Sequence, residues 1–247
     1  MKNLTPSKKI AKKLRIDVWS DIACPWCYVG KRRLEDALAK FPHADAVEVV
    51  WRAFELDPSA PQQRDTTASY AARLGKKYGT SEPEAQKMID RMTDTARGDG
   101  LDFRFDRVKA GNTFDAHRVI HFAAQRGIQD AVKERLLRAY MTDGEPIGDP
   151  ETLVHLAAEA GLDAEEVRAM LASDACAEDV REDENEAREL GISGVPFFVL
   201  GGIYAVSGAQ PAEVILGALK QAWTDLDDRA PTAADAMEGA ACGPEGC

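Results

Sequence analysis

The run Leu14-Arg-Ile-Asp-Val-Trp-Ser-Asp-Ile-Ala-Cys24-Pro-Trp-Cys27 decides how this chain folds. Leu14, Ile16 and Val18 alternate along its first half, the period of a strand with one buried face. Two cysteines two residues apart follow at once. Beyond them Leu34, Leu38 and Phe41 recur at helical spacing and stop at Pro42. Val47 to Phe54, rich in valine and aromatic residues, predicts a second strand. The unit is strand–helix–strand, with a CxxC at the start of the helix.

That position suits sulfur chemistry. The thiolate is the nucleophile in disulfide exchange. A helix N-terminus carries roughly half a positive charge and unpaired N–H groups, and both favour the anion. Two intervening residues place the second sulfur one turn on, within bonding reach of the first. Pro25 fits the first turn because its missing N–H would have had no partner there. Trp26 offers an aromatic surface for gripping a peptide. Cys24 is expected to attack and Cys27, more buried, to resolve.

Downstream the helical period takes over for more than a hundred residues. Asp65 is expected to cap a helix through Tyr70, Leu74 and Tyr78 to Gly79, and Ser81 with Pro83 to start another ending near Gly98. Further helices read as 113–125, 128–142, 150–160, 163–172 and 178–190, with Gly127, Gly144, Gly161 and Gly191 just past helix ends. Strands return at Val195 to Leu200 and Ile203 to Val206 around Gly201-Gly202, a tight hairpin, before a last helix from Pro211 to Leu226.

The order β-α-β, helical block, β-β-α is an α/β chain: a thioredoxin fold with a large all-helical insertion between its βαβ and ββα halves, plus a C-terminal tail. Residues 14–56 and 192–226 form the thioredoxin-like part and 57–191 the insertion. Residues 1–13 are a basic leader with five lysines and no acid, and 227–247 a cysteine-bearing tail.

Composition narrows the function. Of 247 residues 45% are apolar and 30% charged, as in an ordinary globular protein. A net charge of −11 argues against nucleic acid as partner. No apolar run approaches the ~20 residues of a spanning helix, and no apolar stretch follows the basic leader as in a secretory signal. A cytoplasmic protein without a membrane partner is expected. Its five cysteines are too few for a disulfide scaffold: Cys24 and Cys27, a lone Cys176, and Cys242-Gly-Pro-Glu-Gly-Cys247. The two close pairs have spacings that zinc tolerates. Proline at a strand-to-helix junction favours dithiol use, so no metal is assigned. Cys242 and Cys247 are expected to form a second redox pair, because glycine and proline between them permit a local disulfide.

Four ordered blocks carry a resemblance: Asp21-Ile-Ala-Cys-Pro-Trp-Cys-Tyr-Val-Gly30, Trp51-Arg-Ala-Phe-Glu-Leu56, Asn112-Thr-Phe-Asp-Ala-His117 and Gly194-Val-Pro-Phe-Phe198. Over roughly Leu14 to Leu226 the chain resembles the DsbA-like thioredoxin superfamily, most of all its FrnE branch. The 2-hydroxychromene-2-carboxylate isomerases and kappa-class glutathione transferases are relatives. The resemblance implies thiol–disulfide oxidoreduction or isomerisation through a mixed disulfide, with Cys24 and Cys27 catalytic. It implies a cis Val195–Pro196 bond facing the CxxC, whose preceding backbone pairs with substrate. Asn112, Thr113 and His117 are then expected to border a groove shared with Pro25 and Trp26. No bound cofactor is implied. Partners would be thiol- or disulfide-containing proteins, with glutathione or a thioredoxin-type reductase system as electron source.

Two departures from the family matter. The buried acid that DsbA-type proteins carry six residues before the nucleophile is Val18 here, so its role is unfilled or supplied elsewhere; Asp21 is near, and Asp17 alternates to the other face. The histidine between the DsbA cysteines is Trp26, so the thiolate should lack that cation. Rival functions are a glutathione-dependent isomerase or transferase, which would not need Cys27, and a zinc-binding or holdase module. Other candidates have plainer readings. His117 and His121 share a helix face with Phe114 and lack a third metal ligand. Ser207, Gly208 and Gln210 cap the last helix rather than hold a carboxylate. Cys176 is a spare thiol, and the acidic stretch from Asp174 to Glu189 a solvated helix face.

Overall fold

The computed structural model describes residues 12–63 and 67–226. Asp65, residues 1–11 and residues 227–247, with Cys242 and Cys247, lie outside the described residues. Four strands form one sheet in the order β2-β1-β3-β4: β1 Leu14–Ser20, β2 Val47–Ala53, β3 Phe197–Leu200 and β4 Tyr204–Ser207. Strand β1 runs parallel to β2 and antiparallel to β3, with Val18 between Trp51 and Phe198. Parallel neighbours need a crossover, and helix α1, Pro25–Ala39, supplies it. Strands β3 and β4 meet through Gly201 and Gly202 at φ 59° and 67°, the backbone sign that a tight hairpin turn demands. Helix α9, Ala212–Asp225, returns to pack on α1.

Between β2 and β3 come α2 Tyr70–Tyr78, α3 Glu82–Gly98, α4 Phe114–Ala124, α5 Gln129–Arg138, α6 Pro150–Glu159, α7 Ala164–Leu171 and α8 Ala177–Glu189. The α/β architecture of a thioredoxin fold with an inserted helical block is therefore present. The block has no separate core. One apolar cluster joins Leu14, Ile16 and Val18 of β1 to Leu136 and Leu137 of α5 and Leu153 of α6. This shared core holds α5 over the end of β1 where the CxxC begins.

The structure corrects three local expectations. Ser69, not Asp65, caps α2, its hydroxyl accepting from the Ala72 N–H at 2.9 Å. The helix expected through Thr142 leaves α-geometry after Arg138 and widens into a π-turn over Ala139–Asp143, closed by Gly144 at φ 77°. The acidic stretch is not all solvated. In α8, Asp183 shares the inward face of Val180 and Ala187 and is 1% exposed.

Candidate active site

Strand β1 ends at Ser20, and Asp21 to Ala23 turn the chain into α1 with Cys24 as its N-cap. The first turn holds Pro25, no acid and no side-chain cap, so the positive end of the helix is left to sulfur. The Cys27 N–H donates to the Cys24 carbonyl at 3.0 Å, folding the two thiols onto one another. Both are free thiols. Cys24 is 5% exposed and Cys27 fully buried, while Trp26 between them is 44% exposed. The Cys24 Sγ–H donates to the Val195 carbonyl at 3.6 Å, and the Val195–Pro196 bond is cis. Val195, half-buried, and Pro196, buried, thus cover Cys24 from the turn just before β3, with Trp26 and the exposed Leu56 as open apolar surface nearby.

Below the sulfurs lie three buried ionisable groups. Asp21 is 1% exposed; its Oδ2 accepts the Leu56 N–H at 2.8 Å and its Oδ1 the Ala23 N–H at 3.3 Å. His117 Nε2 stands 3.5 Å from Asp21 Oδ1. Burial alone would raise the Asp21 carboxyl, but His117 and these N–H donors outweigh it and hold the pKa below its usual value. Burial lowers His117 despite Asp21, which keeps the imidazole neutral near pH 7. The third group is Lys133 on α5, with no exposed surface, its Nζ donating to the Ser20 carbonyl at 3.2 Å. Burial pulls this ammonium down to about 8, against the opposing pull of Cys27, Asp21 and Cys24. The Cys24 thiol is pushed well up by its hydrogen bond with Cys27 and then by burial.

The sequence-assigned residues divide. Cys24, Cys27, Pro25, Trp26, Val195 and Pro196 come together at one end of β1 and β3. His117 reaches the site from the buried side, through Asp21. Thr113 is buried at the N-cap of α4. Asn112 is committed to the scaffold: its Nδ2 donates to Glu55 Oε2 at 3.3 Å and to the Ala60 carbonyl at 3.2 Å, and its Oδ1 accepts the Phe114 N–H at 2.7 Å. His121 lies 2.8 Å from Asp183, away from the dithiol. Cys176 begins α8 at φ 59°, its thiol raised by burial and by Asp179. Sequence reasoning missed two buried charges at the site. Glu55, raised by burial against the pull of Arg181, receives Arg181 NH1 at 2.7 Å. Lys133 was missed although it stands three and four residues before Leu136 and Leu137 on an apolar helix face, a signal of burial. Beside the site, a cavity of about 910 Å³ is lined by Tyr70, Ile89, Phe103, Phe105, Arg107 and Lys109 among others. Burial and then the charge of Cys24 raise the Tyr70 phenol to about 12. Among the described residues no cluster of three or more His, Cys, Asp or Glu suited to a metal occurs.

The family model of the DSBA-like thioredoxin domain matches residues 15–220. A crystal structure of a probable DsbA oxidoreductase from Streptomyces coelicolor is 49% identical, covers 95% of this chain and 98% of its own, and superposes with a TM-score of 0.81. The uncharacterised protein YwbO of Bacillus subtilis strain 168 is 30% identical over 191 residues, 76% of this chain and 87% of that protein. The cytosolic disulfide reductase DsbM of Pseudomonas aeruginosa, solved with GSH, shares the fold at 18% identity and a TM-score of 0.57, over 87% of this chain and 98% of its own. The protein belongs to the DsbA-like thioredoxin domain family.

Proposed function

We propose that this protein is a thiol–disulfide oxidoreductase of the cytoplasm, able to isomerise disulfides, that acts through Cys24 and Cys27. The observation that carries the reading is the pair itself: two free thiols one helical turn apart at a helix N-terminus, the outer one hydrogen-bonded to the backbone of a cis-proline loop. The Cys24 thiolate attacks one sulfur of a substrate disulfide, and the other substrate sulfur leaves as a thiolate. Cys27, having lost its proton, then attacks Cys24 in this mixed disulfide. The substrate leaves as a dithiol, and the protein keeps its two electrons' worth of oxidation as the Cys24–Cys27 disulfide. Two glutathione molecules, or a thioredoxin-type reductase, would return it to the dithiol. If a substrate thiol attacks the mixed disulfide instead, the outcome is isomerisation.

Trp26, Leu56 and the backbone before Pro196 suit an extended protein chain as substrate. The GSH on the related fold of DsbM supports glutathione as the reductant, and that neighbour's cytosolic setting supports the compartment. Among the described residues no helix is long and apolar enough to cross a membrane. Cys242 and Cys247 are assigned here as a second pair that exchanges with the first.

The test is reduction of a protein disulfide with glutathione as donor. Cys24→Ser should abolish turnover. Cys27→Ser should accumulate mixed disulfides, readable by mass, and Cys242→Ser with Cys247→Ser should lower the rate. Full turnover by Cys27→Ser would overturn the reading in favour of a glutathione-dependent isomerase or transferase.

A further inference from the structure

Two lysines are buried near the CxxC, and they are treated differently. Lys31, 2% exposed, has three carboxylates around its ammonium: Glu35, Asp130 at 3.1 Å and Glu134 at 3.2 Å. Lys133 has no exposed surface, and among the described residues no carboxylate lies within ion-pair distance of it. Its Nζ has one hydrogen bond, to the Ser20 carbonyl, and the Trp51 ring centroid at 5.6 Å. A buried ammonium without an anion costs several kcal/mol, and a methionine of similar length would remove that cost. Its hydrogen bond to Ser20 holds the ammonium at the end of β1, four residues before Cys24. There its charge interacts with the two thiols and Lys31 of α1, with Asp21 after β1 and with His117 of α4. The carboxylates of α6, packed on the same helix, are engaged elsewhere: Glu151 with Arg168 and Glu159 with Arg135. Asp21, the nearby carboxylate, is engaged by His117 and by the Leu56 and Ala23 N–H groups. The uncommitted anion close to Lys133 is the ionised dithiol.

We propose that Lys133, carried over the end of β1 by the helical insertion, is the counter-cation of the Cys24–Cys27 thiolate and thereby sets the redox balance of the pair. The proposal rests on the oxidoreductase reading. It also gives the insertion an electrostatic part in the chemistry. The cation stabilises the reduced, ionised form and loses that partner once the disulfide forms. By linkage, the thiols raise the proton affinity of Lys133 as Lys133 lowers theirs.

The test uses the full chain and Lys133→Met. Ultraviolet thiolate absorbance followed against pH should show the first ionisation of the dithiol shifted up by about one unit, a roughly tenfold loss of thiolate at pH values below the wild type's pKa. Equilibration with glutathione, in which dithiol plus oxidised glutathione gives disulfide plus two reduced glutathiones, should then favour the disulfide about tenfold more at a pH above the variant's first pKa. That is a potential more reducing by ~30 mV. The variant's oxidised form should also melt at a higher temperature than the wild type's. A thiolate titration and glutathione equilibrium that do not move would overturn the proposal, whatever happens to stability. If Lys133→Met does not fold, the wild type decides: the Lys133 side-chain resonances should titrate at higher pH in the reduced than in the oxidised protein, and identical titrations would overturn it. Failure of the wild type to form a reversible Cys24–Cys27 disulfide would instead overturn the oxidoreductase reading, which the thiolate titration does not depend on.

Discussion

Gly30 sits on the second turn of α1, beside the loop that covers Cys24. A Cβ there would come within 2.8 Å of Pro196 Cγ and 3.3 Å of Phe198 Cζ. The proline ring is short and stiff, so the clash must be relieved by moving α1 or β3. Either movement separates Cys24 Sγ from the Val195 carbonyl. Gly30→Ala should therefore cost roughly 1–3 kcal/mol of stability, the usual range for overpacking a tight site. It should also slow disulfide exchange; urea unfolding and an exchange assay check the pair of effects. Unchanged values in both would mean that the close approach places no constraint on the site. Gly30 is visible in the sequence as part of the CxxC block, but the contact that demands it lies far along the chain.

At the scale of elements, the contact between α8 and β2 is the one that sequence periodicity describes worst. Asp183 Oδ1 accepts from Arg52 NH1 at 2.7 Å, and its Oδ2 accepts the Ala53 N–H at 2.7 Å. The Asp183 carbonyl accepts the Trp19 indole N–H at 2.9 Å. Burial would raise this carboxyl, but His121 and the Ala53 N–H outweigh it and keep the pKa low. Removing the carboxylate leaves the buried Ala53 N–H without its acceptor and strips the half-buried Arg52 of its buried carboxylate, with Asp17 at 2.8 Å remaining, so Asp183→Ala should cost about 3 kcal/mol. A thermal melt of the variant measures it; a loss no larger than that of an exposed ion pair would refute the reading. By contrast, α3 was legible from its own residues. Ser81 accepts from Glu84 N–H while the Glu84 carboxylate accepts from Ser81 N–H, a reciprocal cap completed within four residues.

For the whole molecule, the buried ionisable groups set the response to acid. His117 has a folded pKa below its ordinary 6.5, because burial disfavours the charged ring. The unfolded chain then takes up a proton that the folded one refuses, so stability is lost as pH falls below 6.5. Asp21 and Asp183 are held below 3.8, and their contribution is lost as pH falls further, through their folded values. Unfolding free energy from urea titrations should accordingly decline in two stages on acidification. The first stage should be absent from His117→Gln. Persistence of that stage in the variant would assign it to another group.

What the sequence determined by itself is whatever is completed within a turn or two of chain. Alternation set β1 and valine and aromatic content set β2, glycine and serine punctuated the helices, and Cys24-Pro-Trp-Cys27 at a strand-to-helix junction identified the dithiol and its order of burial. Those signals are local because hydrogen bonds between i and i+4, and side chains on one face, are local. The tertiary structure alone decided which groups meet the sulfurs. Val195 reaches Cys24 through the sheet, Asp21 acquires His117 from α4, and Lys133 arrives from α5 through a core shared by helices and strands. A hydropathy pattern reports that a position faces inward, but lysine and aspartate are by type surface residues. Whether the cost of burying their charge is met, and by what partner, is settled only where distant segments of the chain pack together.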